Sequence, residues 1–161
     1  MAFESIATAT PSSGTSEITF SSISSSYDHY FITFYYTPAS GTGNSNVLMR
    51  FNGDSGTNYS QIRTTADTGL GYNGNADTNQ IDISDVTSTY ASCQIWVIGT
   101  QTSRWKTVWA QGSDMASGGR AKWNYGAWMS TSAINSITLF LGDSRNLGSN
   151  CVAALYGVKG A

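Results

Sequence analysis

The chain has 161 residues, ten acidic and eight basic, for a formal charge of −2, and only 11% of its residues are charged, against about 25% in ordinary soluble domains. Its length suits one domain, 1–161, and its lysines and arginines are scattered singly, with no basic stripe to neutralise a phosphate backbone, so nucleic acid is not an expected partner. The apolar runs fall far short of the ~20 residues that cross a bilayer, and no charged-then-apolar leader follows Met1, so a soluble, untargeted chain without a membrane partner is expected.

Strands are predicted at 6–10, 17–21, 30–37, 47–52, 58–64, 81–84, 92–100, 104–111, 120–128, 134–141 and 151–158. They are separated by Gly, Asn, Asp and Ser turns at the spacing of sandwiches and barrels, and helical periodicity is nowhere sustained. The segment 1–10 reads as a first strand or a docking arm. Ile18 and Phe20 share a face against Thr19; Ile81 and Ile83 oppose Asp82 and Ser84; Ile137, Leu139 and Leu141 oppose Ser136 and Thr138. In 30–36 both faces are loaded, with Tyr30, Ile32, Phe34 and Tyr36 on one and Phe31 and Tyr35 on the other, so that strand wants cover on both sides. Asn52-Gly53 and the residues after it suit a tight hairpin joining 49–51 to 59–62. The segment 67–79 reads as a long loop and a candidate for function, with shorter loops at 11–16, 37–46, 53–57, 113–119 and 142–149. Trp105 and Trp109 share one strand face with Thr107 between them, while Arg104, Lys106, Val108 and Ala110 take the other. The fold class expected is all-β, a two-sheet antiparallel sandwich of jelly-roll size.

Catalytic sets are absent from this pattern. A glycosidase needs two carboxylates about 5–10 Å apart, yet Glu4 and Glu17 are the sole glutamates and both lie near the N-terminal edge. The aspartates neighbour turn residues, and Asp82 and Asp85 read as solvent-facing strand-end carboxylates more readily than as a cleft pair. A Ser or Cys nucleophile needs a base, and the single His29, in Tyr27-Asp28-His29-Tyr30, reads as a packed or surface imidazole. No Walker A or GxSxG sequence is present. The oxygen-rich stretches 52–58 and 67–77 could bind Ca²⁺, but tight turns need the same residues, so no metal or other cofactor is expected. Cys93 and Cys151 lie in apolar contexts and are expected as buried thiols, with a disulfide between them left open.

Phe3-Glu4-Ser5-Ile6-Ala7, Ile18-Thr19-Phe20-Ser21-Ser22-Ile23 followed by Tyr27-Asp28-His29, the run Leu48-Met49-Arg50-Phe51-Asn52-Gly53-Asp54-Ser55-Gly56-Thr57-Asn58-Tyr59, and the closing Leu155-Tyr156-Gly157-Val158 form a series spanning nearly the whole chain. It resembles a group of virion structural proteins of tailed bacteriophages of the marine and cyanobacterial type. The resemblance implies a jelly-roll-like sandwich made in the host cytoplasm and carried on the virion surface. The expected role is a non-enzymatic capsid decoration (cement) protein, a homotrimer that binds the major capsid protein and stabilises the assembled head. Position suggests Phe3, Glu4, Ile6, Arg104 and Lys106 as capsid contacts, the last two as rim charges, and Tyr35, Tyr36, Trp105 and Trp109 as an oligomer interface. The alternative is a tail- or head-fibre module binding host glycan through Tyr72, Trp123 and Trp128.

Overall fold

The computed structural model describes residues 2–12, 14–66, 69–87, 89–100, 103–114 and 119–160. Met1 of the expected docking arm, 67–68 at the start of the expected 67–79 loop and 115–118 of the 113–119 loop lie outside the described residues. Among the described residues there are twelve strands: β1 (Ala2–Ala9), β2 (Glu17–Phe20), β3 (His29–Tyr36), β4 (Ser45–Phe51), β5 (Tyr59–Ala66), β6 (Leu70–Thr78), β7 (Ile81–Val86), β8 (Ala91–Ile98), β9 (Lys106–Asp114), β10 (Arg120–Trp128), β11 (Ile137–Leu141) and β12 (Val152–Lys159). They form two antiparallel sheets, one of eight strands in the order β1-β12-β3-β8-β9-β10-β5-β6 and one of four in the order β2-β11-β4-β7. The protein is an all-β, two-sheet sandwich.

Eight of the strands, β1-β12-β3-β8 over β2-β11-β4-β7, wind between the sheets in the manner of a jelly roll. The other four enter as two pairs, β5–β6 between β4 and β7 and β9–β10 between β8 and β11, and all four lengthen the same sheet. The large sheet therefore overhangs the small one. At the far edge β6 is exposed along nearly its whole length, while β7, the last strand of the small sheet, is buried throughout.

Alternating side chains build the core. Tyr30, Ile32, Phe34 and Tyr36 of β3 point inward with Cys93, Ile95 and Val97 of β8, and meet Val47, Met49 and Phe51 of β4 and Ile137 and Leu139 of β11. The inward face of β9 is Lys106, Val108, Ala110, Gly112 and Asp114. Gly112 is required there by contact, since a Cβ would stand 2.1 Å from Ser84 Oγ of β7.

Several expectations are corrected. The 67–79 loop contains strand β6, paired with β5 in register Thr64↔Tyr72 and Arg63↔Asn73. The 49–62 hairpin does not form, because β4 and β5 lie in different sheets. The turn itself is present: Asn52 and Gly53 both have positive φ, and the Asp54 amide donates to Phe51 O at 2.9 Å. It hands the chain from one sheet to the other. Asp82 and Asp85 are buried, not solvent-facing, because the β4–β7 register shifts between Val47 and Leu48 and skips Ile83, interrupting the alternation on which the outward reading rests. Segment 2–9 is an edge strand paired with β12 from Ala2↔Lys159 to Ala9↔Ala153.

Candidate functional site on the outer face of the large sheet

Cross-strand register places large apolar side chains in one row across the solvent side of the eight-stranded sheet. Tyr156 of β12 pairs with Phe31, Phe31 with Trp96, Trp96 with Trp109, Trp109 with Tyr125 and Tyr125 with Ile62. Directly opposed residues in antiparallel strands project on the same side, so five aromatic rings and an isoleucine line up over six adjacent strands. Phe31 stands 4.8 Å from Trp96 and 6.2 Å from Tyr156 between ring centroids. Phe3 of the edge strand closes that end edge-on, 6.0 Å from Phe31 and 5.8 Å from Trp96. At the other end Trp109 and Tyr125 lie 6.3 Å apart with planes only 2° from parallel.

Burial falls along the row. Phe31, Trp96 and Tyr156 shelter one another and are half-buried, whereas Trp109 is 42% exposed, Tyr125 56% and Ile62 61%. These last three, with Ile98 and Gly74, border an open groove of about 760 Å³. Its walls are apolar, and Ser60, Asn75 and Thr107 supply the polar groups. Among the described residues no second layer covers this side, so the exposed rings face solvent.

The residues singled out from sequence divide between the two sides of the sheet. Tyr35, Trp105 and Trp109 are exposed, and Tyr35 stacks on Tyr90 at 5.5 Å. Tyr36 is not available to an interface: it is wholly buried, and its hydroxyl donates to Asp85 O at 3.1 Å. Phe3 belongs to the aromatic row, Glu4 accepts from Tyr27 Oη at 3.0 Å and pairs with Lys159 at 3.4 Å, and Ile6 packs on the core. Arg104 is exposed, but Lys106 is no rim charge. Its side chain is buried, donates to the carbonyls of Arg104 and Ser130, and lies 5.5 Å from the Trp128 ring centroid. The expected glycan trio is likewise split. Tyr72 is 74% exposed and Trp123 half-buried on the outer face, while Trp128 points into the core, 2% exposed, with its indole N–H on Asp54 Oδ2 at 2.7 Å. Alternation alone places Trp128 opposite Trp123; only the structure shows which of the two is inside.

The motifs that carried the resemblance have structural work. Asp54 accepts from Gly56 N, Asn58 Nδ2 and Trp128 Nε1. Burial raises its pKa, but these three donors outweigh burial and hold the carboxyl below its ordinary value. A carboxylate ringed by N–H groups is occupied by donors rather than poised for a cation, so the 52–58 stretch is a turn. Among the described residues no group of three His, Cys, Asp or Glu could hold a metal. Tyr27, just before β3, packs its ring on Gly157 of β12, where a Cβ would come within 2.3 Å of it, which joins two of the motifs. His29 receives the Gly99 amide at Nδ1, 3.4 Å away. Cys93 and Cys151 are both buried free thiols, and burial pushes the pKa of each up.

No family model, curated protein or solved structure matches the chain.

Proposed function

We propose that the protein is a structural component of a phage virion, a capsid decoration (cement) protein that acts by docking and carries no catalysis. The observation that supports this reading is the aromatic row on the outer face of the large sheet. Rings contribute about 150–250 Å² each when buried, so the exposed parts of Trp109, Tyr125, Ile62 and Ile98 amount to roughly 400 Å², the size at which an apolar patch on a monomer is often functional. At about 25 cal/mol per Å², covering it yields about 10 kcal/mol, which lies inside the ~4–15 kcal/mol cost of association. One such face makes a weak contact. A homotrimer presenting three of them to the major capsid protein of an assembled head makes a strong one through effective concentration. Binding the assembled shell alone then stabilises it by mass action.

The test is co-sedimentation with decoration-stripped capsids, with mass from light scattering on the same preparation. A trimer that binds saturably and raises the capsid melting temperature supports the reading, and Trp109→Ala with Tyr125→Ala should abolish binding while the fold survives. A monomer that ignores capsids refutes it. The near-parallel Trp109 and Tyr125 rings beside Ser60, Asn75 and Thr107 favour a second reading, a receptor-binding module that stacks host glycan in the groove. In that case an external quencher reaches Trp109 in the free protein and added glycan protects it.

A further inference from the structure

The aromatic row is one of four parallel rows that register lays across the outer side of the large sheet. They run from the row of Val152, Tyr35, Ser92 and Ser113 at one margin to that of Val158, His29, Ile98 and Thr107 at the other, and continue through β10 and β5 toward β6. Among the described residues, every large apolar side chain exposed on a strand falls in these rows, from Phe3 and Val152 near one edge of the sheet to Leu70 and Tyr72 at the other. None of their members is Asp, Glu, Lys or Arg. The outer side of the small sheet differs, for it carries Glu17 and Arg50.

The polar groups within the rows are of one kind. Apart from the indole N–H groups they are hydroxyls, the His29 ring and the amides of Gln94 and Gln111, all able both to donate and to accept. Gln94 and Gln111 are exposed register partners on β8 and β9, the two middle strands, beside Trp96 and Trp109.

These properties select the partner. A charged surface laid on the rows loses water from its charges and meets none to pair them. At ordinary strand spacing and rise the rows extend about 34 Å across the sheet and about 20 Å along it. Face-to-face contact therefore buries about 1,400 Å² in all, within the ~1,200–2,000 Å² of stable interfaces. Sheets of like twist pack face to face, and a second copy brings the same twist, the same absence of charge, and donors where the first has acceptors. It also covers two apolar patches in one contact, where a polar surface covers one.

We infer that the free protein pairs with a second copy of itself through this face, about a two-fold axis near Gln94, Gln111, Trp96 and Trp109. In a homotrimer with its three faces on one side, two trimers pair and the mass again doubles. The inference goes beyond capsid docking, since it describes the protein before it meets a shell, and the shell takes the same face by displacing the copy.

The experiment measures the mass of the full chain by sedimentation and light scattering over a concentration series. At about 100 µM it should contain an even number of chains, two or six, with a Kd for pairing of about 10 µM or tighter. Gln94→Glu with Gln111→Glu, at exposed positions in the middle of the face, should weaken pairing at least tenfold. Glu17→Gln on the small sheet should leave it unchanged, and raising NaCl from about 0.1 to 1 M should not weaken it. One or three chains at about 100 µM, pairing that survives the two glutamates, or pairing weakened by salt or by Glu17→Gln would each overturn the inference. Co-sedimentation with stripped capsids separates it from docking: capsid binding by a protein that never pairs ends this inference and leaves docking standing, and pairing without capsid binding does the reverse.

Discussion

Lys122 is the side chain whose removal most directly tests the energetics of the interior. It is 3% exposed, and its ammonium is shared by Asp82 and Asp85. Lys122→Met keeps the aliphatic stem and deletes the charge, leaving two buried carboxylates. Breaking a buried pair from one side costs about 3–5 kcal/mol. Here Asp82 retains Arg63 at 2.7 Å and Asp85 retains Arg120 at 3.8 Å, so the lower end applies, about 3 kcal/mol. At about 2–4 °C per kcal/mol for a chain of this size, the melting temperature should fall by about 6–12 °C at pH 7. The pH dependence is the sharper readout. Burial already raises Asp82 above its ordinary pKa against the pull of Lys122 and Arg63, and losing the lysine raises it further. Folded variant then binds more protons than unfolded chain between the unfolded pKa near 3.9 and the raised folded one. The penalty is complete above the folded pKa and relieved as pH falls through it, so variant and wild type should converge on acidification. Urea melts at pH 7 and pH 4 measure this. A loss below about 1 kcal/mol, or one equal at both pH values, refutes the account.

Asp54→Ala should cost about 2–3 kcal/mol, because the buried Trp128 indole N–H loses its acceptor; as the folded pKa of Asp54 is depressed, its contribution is present above the unfolded value near 3.9 and lost as pH falls through the folded one, so denaturant melts from pH 2 to 7 should show a flatter acid limb in the variant. Gly157→Ala should cost about 1–3 kcal/mol by displacing the Tyr27 ring, and Tyr27→Ala in the same chain should recover part of that loss; strictly additive losses would mean the ring is not the obstacle. A thiol reagent should label neither Cys93 nor Cys151 in the native protein and both after denaturation, and rapid native labelling would contradict their burial.

The parts of this fold legible in sequence are those in which one strand speaks for itself. Alternation at Ile18–Phe20 and Ile137–Leu141 identifies inward faces without knowledge of neighbours. The double loading of Tyr30–Tyr36 marks a strand whose outer side carries Phe31, now seen within the aromatic row. What depends on partners was hidden. Leu70–Thr78 reads as turn because Gly, Asn and Asp resist burial, and an edge strand exposed on both faces buries almost nothing. Asn52-Gly53 makes its local turn, but nothing local says that the following strand joins the other sheet. The buried ion pairs of Asp82 and Asp85 with Arg63, Arg120 and Lys122 join β7 to β5 and β10, and the two carboxylates meet because a bulge at Ile83 breaks the alternation of β7. Lys106 misleads for a related reason: its parity with Val108 and Ala110 points inward, against the usual habit of a lysine.

The winding of the sheets also dictates when the molecule can come into being. β12 is inserted between β1 and β3, and β11 between β2 and β4, so each layer has a gap that only the last strands made can fill. At about 5–20 residues per second, the ribosome supplies β12 about 8–30 s after β1. Until then Ile18, Tyr30, Phe34 and Met49 wait without the neighbours that cover them. Pairings this distant in sequence form slowly, and a translation product interrupted before β11 has the strands to complete neither sheet. Folding thus doubles as a check that the chain has been read through Lys159.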